Sequence, residues 1–218
     1  MKTEELNSAL ADLRSTDADR RGNALGRLGF SRDKRALPHV IRVLRDRNEA
    51  PSVRGDAAES LKDWRGRKAM RTLVECSAEP SADVRFWCVF ALGQGWVGRR
   101  NEPLVVTRAL EARLEDRELP WGCTWWPVGL EALAMLQGSR RSRLPLASMF
   151  NHKMQQTLRD PLGNRDQWQW VRCYVDARHD HHAYDALFQH ASQVIRGAGH
   201  NPDEFGWYDS MIDARKDR

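Results

Sequence analysis

Apolar side chains recur along this chain at the spacing of one helix face. Residues 33–45 place Leu37, Val40, Ile41 and Leu44 at i, i+3, i+4 and i+7, which is the stripe of an amphipathic helix. Comparable stripes occupy residues 3–14, 67–76 and 103–114. Each stripe stands before one copy of a repeated segment, so the pattern predicts helices in consecutive pairs.

The repeated segment occurs at residues 20–29, 53–61 and 84–93, with starts 33 and 31 residues apart. Each copy has Arg at its second position, a small residue at its fifth and Leu at its ninth. A period of this length is typical of stacked helical pairs. Residues 128–136 keep the small fifth residue and the ninth Leu without the Arg, and we interpret them as a degenerate fourth copy.

These patterns predict an all-α fold, a right-handed α-solenoid of about five helical pairs. We assign the whole chain, residues 1–218, to one repeat domain. Its repeats are clear over residues 15–137, and residues 138–218 are expected to hold a degenerate fifth copy and capping helices. The longer spacing before the fourth copy places insertions at residues 94–101 and 118–127.

Turn residues predict where individual helices begin and end. The polar triplets at residues 15–17 and 31–33 offer side-chain oxygens that can cap the free N–H groups of a helix N-terminus. Gly29 and Gly93 stand where the second helix of a pair is expected to end, because glycine commonly follows the last helical turn.

The composition indicates a folded chain that does not span a membrane. Hydrophobic residues make up 41% and charged residues 30% of the chain, no stretch of 18 apolar residues occurs, and residues 1–13 lack the apolar core of a secretory signal. We therefore expect a cytoplasmic protein with reduced cysteines. The four cysteines, which form no C-x-x-C pair, are Cys76, Cys88, Cys123 and Cys173.

The net charge of +5 is concentrated in the N-terminal part of the chain. Residues 1–75 hold 17 Lys and Arg against 12 Asp and Glu, whereas residues 76–218 hold 18 of each kind. A basic region of this sort attracts phosphate or an acidic protein. Because acids are interleaved with bases throughout, a solvated helix surface is the other interpretation.

The repeated segment also predicts which side chains face the core. Its apolar and small positions, the first, fifth, sixth and ninth, are expected to pack inward. The Arg at the second position is expected to pair with an acid of the adjoining turn, as Asp46 would pair with Arg54. The third, fourth and seventh positions are left to point away from the core.

These outward positions change in character from one copy to the next. Glycine and asparagine fill them in the first copy, Asp56 and Glu59 follow in the second, and Phe86, Trp87 and Phe90 fill the third. Exposed aromatic clusters mark binding sites, so these five residues form the predicted partner-binding surface. The alternative is that Trp87 and Phe90 pack against the next helical pair.

A loop bounded by Pro120 and Pro127 extends this hypothesis. It contains Trp125 and Trp126, which we add to the predicted partner-binding residues because the loop can lie over the groove and close a pocket. The alternative is that the loop only caps the core.

The segment V-R-x-x-A-x-x-x-L-G, preceded by a helix and a short acidic turn, resembles HEAT repeats, and in particular the bacterial PBS-lyase-type HEAT-like repeat. Residues 84–93 are the best match. The resemblance implies an armadillo-like superhelix in which the second helix of each unit lines a concave face. It also implies a scaffold that binds other proteins.

Enzymatic branches of that family offer alternatives. Phycobilin lyases use HEAT-like repeats, and HEAT-like alkylpurine DNA glycosylases use aromatic residues with an Asp in a basic groove. Trp125 and Trp126 resemble the aromatic pair of those glycosylases, while the position expected for the Asp holds Leu130, with Glu131 beside it. An immunity or regulatory factor encoded beside its target is a further alternative.

No catalytic constellation stands out in the sequence. His179, His181, His182 and His190 form a ligand-like cluster, but adjacent helical residues point in different directions, whereas metal ligands need one face. We interpret the cluster as a polar helix start, with metal binding as the alternative. The resulting hypothesis is a non-enzymatic scaffold without a cofactor or metal. Its predicted partner is a protein, nucleic acid is the alternative partner, and the oligomeric state is left open.

Overall fold

The computed structural model describes residues 1–121, 127–146, 148, 149, 152, 193 and 196. Within them the chain forms helices and no strand, as the sequence predicts. The helices are α1 (Thr3–Asp12), α2 (Ala18–Ser31), α3 (Leu37–Arg45), α4 (Pro51–Ser60), α5 (Arg67–Cys76), α6 (Ala82–Trp96), α7 (Leu104–Glu111) and α8 (Val128–Leu136). A short 3-10 helix, Leu61–Asp63, follows α4 directly.

The helices form consecutive pairs that stack into an α-solenoid. Each odd-numbered helix packs on the even-numbered helix that follows it, and α2, α4, α6 and α8 pack on one another in order. The helices α3, α5 and α7 also contact one another in order, so the core lies between two layers. Four of the five predicted pairs are thus confirmed, and the fifth lies outside the described residues. Leucines dominate the fully buried side chains, among them Leu25, Leu44, Leu73, Leu92, Leu110 and Leu133.

The chain divides into two compact units, Met1–Leu146 and Ala147–Arg218. All the helices named above belong to the first unit, which contains the whole of the clear repeat region, and the assignment of residues 1–218 to one domain stays a prediction. None of the described helices combines the length and the apolar character that crossing a bilayer requires.

The N-cap predicted for α2 is confirmed, and the one predicted for α3 is wrong. Asp17 caps α2 by accepting hydrogen bonds from the N–H groups of Asp19 and Arg20, as predicted. Asp33 instead accepts from Arg35 N at 3.0 Å, and α3 begins only at Leu37. The sequence prediction for α3 began too early because the Asp33 side chain stabilises a turn before the helix.

Gly29 and Gly93 do not end their helices, so that prediction is wrong. The helix α2 continues to Ser31, and Arg32 follows it with a left-handed φ of 51°; α6 likewise runs past Gly93 to Trp96. Both glycines lie at helix contacts instead. A Cβ at Gly29 would lie 2.7 Å from Ser60 Cβ, and one at Gly93 would lie 2.5 Å from Met135 Cβ, so the absence of a side chain permits close packing.

A buried carboxylate holds the segment between α6 and α7 against the turn after α8. The oxygens of Glu102 accept hydrogen bonds from Gly98 N and Arg140 N at 2.9 Å, from Thr107 Oγ1 at 2.8 Å and from Ser139 Oγ at 2.5 Å. The residue is only 2% exposed. Burial by itself would raise the pKa of Glu102, but these four donors outweigh it and hold the pKa below its ordinary value.

Candidate functional site

The Arg of the repeated segment joins each helical pair to the next. Arg85 Nη1 donates hydrogen bonds to the carbonyl oxygens of Glu79 and Pro80 at 2.9 and 2.6 Å. Its Nε and Nη2 donate to the Asp116 carboxylate at 2.7 and 3.1 Å, and Nη2 lies 3.0 Å from Glu118 Oε2. Burial would raise the pKa of Asp116, but the Arg85 hydrogen bonds outweigh it and lower that pKa. This Arg therefore fixes the spacing of successive repeats.

The two earlier copies of the Arg make related contacts. Arg21 donates two hydrogen bonds of 3.0 and 2.7 Å to the Glu49 carboxylate, and Arg54 Nη2 lies 3.3 Å from Glu79 Oε2. The prediction that Asp46 pairs with Arg54 is wrong, because Arg54 Nε donates to a backbone carbonyl of α3 at 2.8 Å. Each Arg takes its acid from the turn one pair later, since its own helix packs against that next pair.

Carboxylates pair with many further arginines of the basic N-terminal part. Because these ion pairs compensate much of the local positive charge, they favour the interpretation of this part as a solvated helix surface. The pairs are Arg20–Asp12, Arg27–Asp12, Arg32–Asp63, Arg35–Asp33, Arg45–Glu75 and Arg47–Glu79.

The fourth and seventh positions of the repeated segments form a strip along the second helices, which we call the second-helix face. The residues on α2 are exposed and those on α4 and α6 are partly exposed, so a partner molecule can reach the strip. It consists of Asn23 and Gly26 on α2, Asp56 and Glu59 on α4, and Trp87 and Phe90 on α6.

Phe86 was predicted to lie on this face, and that prediction is wrong. Its side chain is only 4% exposed, and its ring packs edge-to-face on Trp87 with the centroids 5.4 Å apart. The third position of the repeat lies at the contact between successive second helices, as buried Gly55 in the preceding copy shows. Phe86 occupies the same position on α6 and is buried for the same reason.

Glycines at this third position shape the face. A Cβ at Gly55 would lie 2.5 Å from Trp87 Cδ1 and 3.1 Å from its Nε1. A Cβ at Gly22 would likewise collide with the Asp56 carboxylate. Because glycine has no Cβ, the fourth-position side chain of one second helix can lie across the third-position glycine of the second helix before it. The indole of Trp87 therefore lies against the residue that precedes Asp56.

The carboxylates of the face differ in how they are neutralised. Glu59 Oε1 accepts a 2.7 Å hydrogen bond from Lys62 Nζ. Within the described residues no hydrogen bond or ion pair reaches the Asp56 carboxylate. Burial, together with the negative charges of Glu59 and Asp19, raises the pKa of Asp56 to about 6. Among the residues that the structure describes, Asp56 is thus a charge of the second-helix face that no cation compensates.

Several predicted residues lie outside the part of the chain that the structure describes. These are Trp125, Trp126 and the histidines of residues 179–190, whose predicted roles stay predictions. Leu130 and Glu131, considered for the glycosylase alternative, are described and buried, with 2% and 1% exposure. Among the described residues, no group of three or more His, Cys, Asp or Glu side chains is arranged to hold a metal ion.

Two features of this region were missed in the sequence. The first is the neutralisation of Glu59 by Lys62. The sequence indicates it only by a basic residue directly after the ninth-position Leu61. The other is a cleft of about 840 Å³ between α1 and α2. Phe30, which is 90% exposed, lines this cleft, and its signal was an apolar residue that the repeat pattern does not explain. The other residues that line the cleft are Met1, Glu4, Glu5, Ser8, Gly26, Arg27 and Ser31.

Comparison with a family model agrees with this architecture. The family model of the HEAT repeats matches residues 6–93. Deoxyhypusine hydroxylase from Rattus norvegicus is 38% identical over 65 residues, which are 30% of this chain and 22% of that protein. The match thus spans about a fifth of the length of that relative. Among solved structures, the complex of CpcE and CpcF of phycocyanin lyase from Nostoc sp. PCC7120 gives a TM-score of 0.45 at 21% identity, over 72% of this chain and 66% of that one. The stacked pairs and the repeated Arg agree with the family match, and residues 6–93 of this chain consist of HEAT repeats.

Proposed function

We propose that this protein is a non-enzymatic scaffold of the cytoplasm that binds a partner protein through the second-helix face. The observation that supports this most is the partial exposure of Trp87 and Phe90 on α6, a helix whose other large apolar side chains are buried. Large aromatic side chains contribute much of the binding energy of protein interfaces, because a partner that covers them buries a large area at low entropic cost.

The contacts of these rings favour binding without rearrangement. Trp87 packs edge-to-face on Phe86 and on Phe90, with centroids 5.4 and 5.6 Å apart, and its indole lies against Gly55. The Arg contacts between repeats hold α4 and α6 in register. A surface that is already ordered loses little conformational entropy on binding, and this raises affinity.

The charges of the face favour a protein over a nucleic acid. Asp56 and Glu59 lie on it, and the charge of Asp19 on α2 also acts on Asp56. Carboxylates repel the phosphates that dominate nucleic-acid binding, and many arginines nearby are already paired with acids. The same charges disfavour the glycosylase alternative, which needs a basic groove.

The proposal is tested by affinity capture from the source cells with the purified full chain as bait, followed by quantitative mass spectrometry. Trp87→Ala removes the largest ring of the face. The matched control is Leu104→Ala, which removes a 47% exposed side chain from α7, the first helix of the fourth pair. We expect specific partners to be lost with Trp87→Ala and kept with Leu104→Ala.

A second variant separates lost binding from lost folding. Glu59→Lys changes the charge of a side chain that is 37% exposed and leaves the apolar core intact, and circular dichroism checks the fold of each bait. If both variants of the face are folded and retain the wild-type partners, the proposed surface is wrong. A partner set that consists of nucleic acid, with affinity falling steeply as salt rises, would favour the alternative.

A further inference from the structure

The second-helix face contains two carboxylate–aromatic pairs in the same register. Glu59 and Phe90 are the seventh positions of neighbouring repeats, and Asp56 and Trp87 are the fourth positions of the same two repeats. Since α4 and α6 pack directly on each other, the acid and the ring of each pair lie on neighbouring helices, and the Trp87 indole lies against Gly55, the residue before Asp56. The two pairs are separated by about one helical turn.

A cation of the chain itself fills the first of these pairs. Lys62 Nζ lies 2.7 Å from Glu59 Oε1 and 5.4 Å from the centre of the Phe90 ring. That distance is within the range of a cation–π interaction, which is about 6 Å. The pair formed by Glu59 and Phe90 therefore binds a basic group by charge and by the ring at once.

The second pair offers the same chemistry without a cation in the described residues. The charges that act on Asp56, those of Glu59 and Asp19, are both negative. Its ring is the indole of Trp87, which attracts cations more strongly than a phenyl ring does. A half-buried carboxylate has lost part of its hydration, and an incoming cation compensates that loss.

We infer that Asp56 and Trp87 receive an arginine or lysine side chain of the partner protein, with its cationic group at the carboxylate and against the indole ring. This inference rests on the proposed function and names the chemistry that the partner must present. A guanidinium suits the site well, because it can stack on a ring while it donates hydrogen bonds to a carboxylate. The occupied pair formed by Glu59 and Phe90 gives the expected arrangement, with an external residue taking the place that Lys62 takes there.

The test uses the full chain labelled with ¹⁵N and follows the indole N–H resonance of Trp87, which Trp87→Phe assigns. Acetyl-arginine amide is the probe, and acetyl-citrulline amide is its neutral counterpart of the same shape. We expect a saturable shift with the arginine probe that weakens about tenfold in Asp56→Asn, and no shift with the citrulline probe at equal concentration. Equal shifts with the two probes, or none with either, would overturn the inference.

The capture experiment separates this inference from the proposed function. Asp56→Asn is added to the baits, with Glu75→Gln, an exposed carboxylate on α5, as its matched control. Loss of the partner with Asp56→Asn and retention with Glu75→Gln support the cationic contact. If Trp87→Ala loses the partner and Asp56→Asn keeps it, the second-helix face binds by another chemistry and only the inference fails. If both keep it, the proposed function fails as well.

Discussion

Arg85 on α6 links its helical pair to the next one. Its Nε lies 2.7 Å from Oδ2 of Asp116, which is 31 residues further along the chain. Both side chains are largely buried, with exposures of 7% and 11%. Removing the cation would leave a buried carboxylate without its partner, which is costly in a medium of low dielectric constant. We predict that Arg85→Ala lowers the free energy of unfolding by about 3–5 kcal/mol, as measured by urea denaturation.

The matched control for this variant is Arg45→Ala. Arg45 pairs with Glu75 across a comparable separation of 30 residues, but both side chains are at least half exposed. Solvent screens such a pair, so its loss should cost less than about 1 kcal/mol. Similar losses in the two variants would contradict a special role for the repeated Arg.

The glycines of the repeat give a second prediction. At Gly55 an added methyl group would lie 2.5 Å from the Trp87 ring, so Gly55→Ala must displace that ring and should destabilise the fold by about 1–3 kcal/mol. At Gly26 an added methyl group meets nothing within 4 Å, and Gly26→Ala should stabilise helix α2 by about 0.5–1 kcal/mol. Thermal unfolding of the two variants checks these opposite signs, and shifts in the same direction would refute the close contact between Gly55 and the Trp87 ring.

Asp56 should reduce stability at neutral pH. Its folded-state pKa, about 6, lies above the ordinary value of 3.8, so the ionised form disfavours the folded state. The cost is absent below pH 3.8, grows as the pH rises to about 6 and is complete above it. After allowance for solvent screening it is on the order of 1 kcal/mol. Asp56→Asn should therefore raise the midpoint of thermal unfolding by roughly 2–5 °C at pH 7.5 and change it little at pH 4. A gain that does not depend on pH would contradict the assignment of this pKa.

Ionised Glu102 should stabilise the fold, whereas ionised Asp56 should destabilise it. Its folded-state pKa lies below the ordinary value of 4.5, so the ionised form stabilises the fold above pH 4.5, and this contribution is lost as the pH falls through the lower folded value. We predict that Glu102→Gln costs about 1–3 kcal/mol at pH 7 and progressively less in acid. Glu75→Gln, which changes an exposed carboxyl group, should have little effect at either pH. Equal behaviour of the two variants in urea denaturation would show that the Glu102 hydrogen bonds do not stabilise the fold.

Much of the fold follows from the sequence because the repeat specifies it several times. The period predicted stacked pairs, and the buried ninth-position leucines Leu28, Leu61 and Leu92 follow directly from the repeated segment. The ends of helices were less predictable. Glycine both ends helices and permits close packing, and the sequence around Gly29 and Gly93 does not distinguish these roles.

The candidate site was predicted in part for a related reason. Helical periodicity identified Asp56, Glu59, Trp87 and Phe90 as outward positions, and these residues are partly exposed. Phe86 was wrongly predicted to be exposed because the periodicity of one helix does not reveal which of its faces packs on a neighbouring helix. The third position faces the adjacent second helix. The partner of Arg54 was misassigned for the same reason, since its acid belongs to the next helical pair.

Binding of a partner protein at the second-helix face is tested most directly by the affinity of the captured partner. The dissociation constant is measured by calorimetry for the wild-type chain, Trp87→Ala and Leu104→Ala. If Trp87 is a principal contact, its removal should cost at least about 2 kcal/mol, which is roughly a 30-fold weaker affinity, while Leu104→Ala stays within about twofold of wild type. A folded Trp87→Ala variant that binds the partner as tightly as the wild-type chain would contradict binding through the second-helix face.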